Sequence, residues 1–134
     1  MTALDTNILI YACDSTDTRR QSAAIDLIAR TTDGVLLWQV ACEFIAASRK
    51  LIAQGFSPAH AWHRLSELAA IFPLVLPTAG ALERARELHT EHGWSFWDAL
   101  IVAACIDCGV RRLYTEDLPG RSPPAGLEII NPFA

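Results

Sequence analysis

Lysine is almost missing from this sequence: Lys50 is the only one, on a mid-chain segment of helical pattern. That argues against acidic phosphoryl-transfer pockets of the receiver or haloacid-dehalogenase-like phosphatase kind, which use a lysine late in the chain. The phosphatase kind also needs a second aspartate where Asn7 stands. Long apolar runs are missing too. No segment reaches the roughly 18 uncharged apolar residues of a membrane span. Asp5 interrupts the N-terminal apolar run and no basic leader precedes it, so no secretory signal is expected and the chain is read as cytoplasmic. Low-complexity tracts and fixed-period repeats are absent, which sets aside disorder and solenoid architectures.

Paired CxxC motifs are lacking as well. Of Cys13, Cys42, Cys105 and Cys108, only the last two have that spacing, and they fall in an apolar helical run. Reduced, mostly buried thiols are expected rather than a zinc site or disulfides. An excess of positive charge is the final absence: 11 Lys+Arg face 15 Asp+Glu, a net charge of −4. Phosphate-binding proteins usually carry the opposite balance.

What is present is apolar. Of 134 residues, 51% are hydrophobic, ample for one self-sufficient domain over residues 1–134. Mean hydropathy is +0.23, so apolar surface is expected to remain for association, and a homodimer is predicted.

Short apolar runs alternate with helix-period segments. Residues 2–5 read as a short buried strand with Asp5 at its carboxyl end, and Thr6 is placed to cap a helix over 7–12. A helix is expected from Thr18 to Arg30, stopped by Gly34, then a strand over 35–38. Residues 39–54 carry helical periodicity up to Gly55, and Ser57-Pro58 opens another helix to about Phe72. Pro73 to Leu76 reads as a strand. Thr78 starts a helix ending near Gly93, and Ser95 caps one over 96–108. Strands are expected over 112–115 and 127–130, with a loop over 119–124. Strands separated by helices imply β-α-β units: an α/β fold with a parallel sheet and helices on both faces. Ligands bind such sheets beyond the strands' carboxyl ends, where Asp5 and Asp117 lie.

Four acids stand where neighbours are apolar: Asp5 and Asp117 directly after buried strands, Glu43 within Val40-Ala41-Cys42-Glu43-Phe44-Ile45, and Asp98 within Phe96-Trp97-Asp98-Ala99-Leu100. Carboxylates crowded into one pocket repel and protonate unless a cation compensates, and oxygen-only ligation favours Mg²⁺ or Mn²⁺. Each has a plainer reading: Asp5 as a helix cap, Asp98 as half of a capping box with Ser95, Glu43 as a solvated edge residue, Asp117 as a turn acid. Setting the four aside leaves eleven acids against eleven Lys+Arg, so the acid excess equals the proposed site. A bound cation there would attract phosphate.

Read in order, four fragments resemble the PIN-domain family, in particular VapC-type toxins. They are Leu4-Asp5-Thr6-Asn7-Ile8-Leu9, Cys42-Glu43-Phe44, Phe96-Trp97-Asp98-Ala99-Leu100-Ile101-Val102-Ala103-Ala104 and Leu113-Tyr114-Thr115-Glu116-Asp117-Leu118. The closing Ile129-Ile130-Asn131-Pro132-Phe133 is similar to the ending of many members. The resemblance implies a three-layer α/β/α fold around a mostly parallel sheet and metal-dependent hydrolysis of RNA. It further implies Asp5, Glu43, Asp98 and Asp117 as ligands of Mg²⁺ or Mn²⁺ or as groups orienting its water, with Thr6, Asn7 and Thr115 as polar supports. Glu116 is left facing either the site or solvent. A small antitoxin whose chain enters or covers the acidic groove is the implied partner. The alternative is a non-catalytic RNA-binding or protein-interaction module of the same fold.

Trp94 and Trp97 are the best placed of the four tryptophans to stack on RNA bases, although core or interface packing is expected for all four. His60, His63, His89 and His92 are expected to be ordinary surface or helix-end histidines rather than ligands. Arg49-Lys50 and Arg111-Arg112 read as solvated pairs.

Overall fold

The computed structural model describes residues 1–118, 122–124 and 126–134. Five strands form one sheet: β1 (Thr2–Leu4), β2 (Gly34–Leu37), β3 (Leu74–Val75), β4 (Arg112–Tyr114) and β5 (Glu128–Ile130), in the order β3-β2-β1-β4-β5. Every pairing is parallel; Ala3 sits between Val35 and Leu113, and Leu4 lies beside Tyr114. Because β1 and β2 are covered on both faces, all their residues are buried, which is why they read as unbroken apolar runs.

The helices are α1 (Thr6–Cys13), α2 (Thr18–Arg30), α3 (Trp38–Ala47), α4 (Pro58–Ile71), α5 (Ala79–Glu91) and α6 (Phe96–Asp107). From β1 to β2 to β3 the chain moves one way along the sheet, and from β3 to β4 it moves back. Right-handed crossovers therefore put α1 to α4 on one face and α5 and α6 on the other. The packing agrees: α1 contacts α2 and α3, α3 contacts α4, and α5 lies along α6. The result is the three-layer α/β/α arrangement. Ile8, Leu9, Leu27, Val40, Phe44, Val102, Cys105 and Leu113 are fully buried between the layers.

Local departures from expectation have local causes. Asp5, not Thr6, caps α1, its Oδ1 accepting from Thr6 N at 2.7 Å. Gly34 does not stop α2, which ends at Arg30; it opens β2 where the Phe72 ring comes close to the backbone, and a Cβ there would lie 2.5 Å from that ring. The run expected as one helix over 39–54 is α-helical to Ala47 and then 3₁₀ over Ser48–Gln54. The Ser48 hydroxyl donates to the carbonyl of Ile45, tightening the turn, and Gly55 closes it at φ +83°. Of the expected loop over 119–124, residues 119–121 lie outside the described residues.

No described helix is long and apolar enough to cross a membrane.

Candidate active site

Since all strands are parallel, their carboxyl ends share one edge. Asp5 follows β1 directly, and Thr115-Glu116-Asp117 follow β4 directly. α3 starts with no interval after β2, so Glu43 in its second turn stays near that edge. α6 leads into β4 from the opposite direction and so begins at the same edge, carrying Asp98 in its first turn. The topology thus turns the elements carrying these four acids, and the N-termini of α1, α3 and α6, toward one rim of the sheet. Helix N-termini present free N–H groups and positive dipole ends, a setting suited to carboxylates and phosphates.

Thr115 organises the centre. It is buried, and its Oγ1 donates to Asp5 Oδ2 at 2.7 Å while accepting from Asn7 Nδ2 and from Asp117 N, each at 3.1 Å. Asn7 Nδ2 also donates to Asp117 Oδ2 at 2.9 Å. Asp5 N donates to the carbonyl of Tyr114 at 2.9 Å, tying the ends of β1 and β4 together. Asp5 as a residue keeps some exposed surface, but desolvation of its carboxyl group, opposed by hydrogen bonds from Thr115 and Thr6 and reinforced by the charges of Glu43 and Asp117, pushes its pKa up to about 6. Those charges place Glu43 and Asp117 within electrostatic reach of Asp5. Among the described residues the Asp98 carboxylate makes no hydrogen bond or ion pair, while its backbone N–H donates to Ser95 Oγ at 3.4 Å. The cap is one-sided, not the reciprocal box.

The least expected feature is a set of missing partners. Among the described residues, every buried side-chain nitrogen or oxygen without a hydrogen-bond partner lies in the first two turns of α1 or α3: Thr6 Oγ1, Asn7 Oδ1, Gln39 Oε1 and Glu43 Oε1. Buried polar atoms are rarely left unpaired, and an unpartnered carboxylate oxygen on Glu43 has the chemistry that a hard cation or its water takes up. No three of the described His, Cys, Asp and Glu side chains stand close enough together to share an ion. Two apolar hollows are also present, the first of them sharing Gln39 with the rim. One of about 310 Å³ is lined by Trp38, Leu76, Leu82, Leu100 and Ala104, and one of about 370 Å³ by Leu9, Ile25, Ile28, Leu68 and Ile71.

Residues 2–118 match the family model of the PIN domain. The chain belongs to the PIN domain family. Three solved structures share its fold. A toxin–antitoxin complex from Klebsiella pneumoniae aligns with a TM-score of 0.69 at 20% identity, covering 98% of both chains. VapC20 of Mycobacterium tuberculosis, described as a toxin that cleaves the sarcin-ricin loop, aligns at 0.66 and 21%, over 87% of this chain and 92% of that one. VapBC2 from Rickettsia felis, bound to a DNA fragment of its promoter, aligns at 0.69 and 19%, over 97% and 98%. A comparison with curated proteins finds no match.

Other sequence-level candidates resolve individually. Glu116 faces neither the acids nor open solvent: its carboxylate accepts from Tyr11 Oη at 2.5 Å and from Arg20 Nε at 3.4 Å. Trp94 is buried, whereas Trp38, Trp62 and Trp97 are exposed, so the expected core packing holds within this chain for Trp94 alone. Cys105 is buried and Cys13 and Cys108 half-buried, but Cys42 is exposed. His60 closes a capping box, its Nδ1 accepting from Ser57 N, a task more familiar for Glu or Gln. Gln39 was not foreseen at the site; its Nε2 donates to the Trp97 carbonyl at 3.4 Å, joining the first turns of α3 and α6. Tyr11 and Arg20 were also missed, though Tyr11 stands one helical turn after Asn7, a spacing that puts both on one face.

Proposed function

We propose that this PIN domain is a metal-dependent endoribonuclease acting as the toxin of a toxin–antitoxin pair. The observation that carries the reading is the cluster of orphaned buried oxygens, Glu43 Oε1 above all, beside a carboxylate that its surroundings push toward neutrality. Both features are relieved by a cation. Asp5, Glu43, Asp98 and Asp117 would hold Mg²⁺ or Mn²⁺, drawn closer together on binding. When bound, such an ion supplies hydroxide at neutral pH and charge relief on the scissile phosphate.

The chain's own residues do the rest. Thr115 and the Thr6 N–H each take one oxygen of Asp5, orienting the carboxylate while leaving lone pairs on both oxygens. Asn7 aims Asp117 in the same way. The N-termini of α1, α3 and α6 favour a phosphate over the rim. A carboxylate of the cluster accepts the proton of the attacking water. Attack by water at phosphorus with cleavage of the P–O3′ bond leaves a 5′-phosphate, and the departing 3′-oxygen takes up a proton as a 3′-hydroxyl.

Antitoxin binding is inferred from the neighbours' complexes, with the acidic rim as the surface covered. A homodimer is inferred from exposed Trp38, Leu76, Leu82 and Trp97, which flank one apolar hollow or the rim.

The test is cleavage of a labelled panel of structured RNAs with Mg²⁺, Mn²⁺ or EDTA, by the wild type and by Asp98→Asn. Metal-dependent cuts ending in 5′-phosphate and lost in the variant are expected. A 2′,3′-cyclic phosphate product would overturn the mechanism, and folded, partner-free protein that cuts nothing would make this a binding module.

A further inference from the structure

α1 holds the turn after β4 at three consecutive residues. Asn7 Nδ2 binds Thr115 Oγ1 and Asp117 Oδ2, and one helical turn later Tyr11 Oη binds Glu116 Oε1. Residues 115 and 117 are thus gripped toward the acids, and residue 116 is gripped away from them. Behind Glu116, Arg20 donates to the second carboxylate oxygen and is itself fixed by Asp17 at 3.1 Å. Its guanidinium lies 5.4 Å from the centre of the Tyr11 ring and 5.8 Å from that of Phe133. Phe133 in turn meets Tyr11 edge-on. A half-buried tyrosine committed to a carboxylate next in sequence to an exposed acid is more than the packing of α1 needs.

Resting on the reading of the four acids as a metal site, we propose that Tyr11 is a positioning residue: through Glu116, backed by Arg20, it sets the place of the Asp117 carboxylate. The Asp117 carboxylate is exposed and, among the described residues, accepts a hydrogen bond from Asn7 alone; its backbone N–H is tied back to Thr115 Oγ1, and the residue between these two anchors, Glu116, sets how the turn carries the carboxylate. Pinning Glu116 by two donors fixes it.

The experiment is calorimetric titration of Mn²⁺ into the wild type, Tyr11→Phe, Glu116→Gln, Asp117→Asn and the Tyr11→Phe/Asp117→Asn double variant, with thermal melts to confirm folding. Tyr11→Phe keeps the ring against Phe133 and removes only the donor, and it is expected to weaken Mn²⁺ binding about tenfold, the usual effect of losing a group that orients a ligand. Glu116→Gln, which keeps an acceptor for Tyr11 but loses its charge toward Arg20, weakens it less. In the Asp117→Asn background Tyr11→Phe adds nothing, because its effect passes through Asp117. In metal-free protein the Asn7 side-chain amide resonance, which reports the bond to Asp117, shifts in Tyr11→Phe. Unchanged Mn²⁺ binding in folded Tyr11→Phe, or an effect that simply adds to that of Asp117→Asn, overturns the proposal and leaves the metal site standing. A wild type that binds no Mn²⁺ overturns both. If Tyr11→Phe does not fold, Glu116→Gln carries the same comparison.

Discussion

The Thr115 hydroxyl gives its only hydrogen to Asp5 Oδ2, across the boundary between β4 and β1, while its lone pairs take hydrogens from Asn7 and from the backbone of Asp117. One buried oxygen therefore holds the two strand-end acids in register. Thr115→Val preserves shape and removes all three bonds, leaving Asp5 short of a donor and two N–H groups short of an acceptor. We expect a loss of about 2 kcal/mol in urea unfolding, typical of stranding buried polar groups, and a further rise in the Asp5 pKa. Equal stability of wild type and variant would mean that water replaces the hydroxyl at no cost.

Asp5→Asn tests the crowding of the acids. The folded-state pKa of Asp5 is raised from 3.8 to about 6, chiefly by desolvation, so the folded protein binds a proton more tightly than the unfolded chain. The associated stability is fully present below about pH 4 and is lost as pH rises through 6. Above that, the ionised carboxylate costs the metal-free fold about 3 kcal/mol at most, at 1.36 kcal/mol per pKa unit. Asparagine keeps the cap through Oδ1 and carries no charge, while its Nδ2 removes the acceptor of the Thr115 hydroxyl, a loss that is the same at both ends of the pH range. Relative to wild type, metal-free Asp5→Asn should therefore gain stability between pH 4 and pH 7, with cleavage abolished. A stability difference that does not change between those pH values would show that the ionised carboxylate is not under strain.

The strand-end positions of two acids are legible in the sequence alone. Asp5 and Asp117 were visible because a polar residue directly after a buried apolar run marks a strand's end, and α2 over 18–30 was visible because its caps and periodicity are local. The direction of Glu116 was not. Three polar residues in a row do not reveal which of them faces inward; that depends on where α1 crosses the end of β4. Gly34 misled for the same reason, since glycine after a helix is a common stop, and only the distant Phe72 ring shows its purpose. The orphaned oxygen of Glu43 is likewise a tertiary fact, produced by α3 entering the fold directly from β2.

Added divalent ion should act on folding as well as on catalysis. A ligand that binds only the native state stabilises it by about 2.7 kcal/mol at one hundred times its dissociation constant. Thermal melts at pH 7.5 are expected to rise with Mn²⁺ or Mg²⁺ and to fall back with EDTA. The rise should vanish in Glu43→Gln, which removes the charge and keeps the shape. A rise that persists in that variant would place the ion elsewhere.

Tyr11 offers a direct optical check on Glu116. Its pKa is pushed up to about 12, first by its hydrogen bond to Glu116 and then by desolvation. Titration of tyrosinate absorbance should show one of the two tyrosines ionising near that pH, and Glu116→Gln should bring it back toward the ordinary value near 10. Identical curves would mean that the Tyr11–Glu116 bond does not persist in solution.

Asp5 serves two masters, with one oxygen on the backbone of α1 and both oxygens beside like charges. The chemistry therefore depends on a charge that the architecture does not need. An asparagine would keep the helix capped and remove the desolvated charge, so nothing in the folding of this chain selects for a carboxylate at position 5; only a function that uses the charge does.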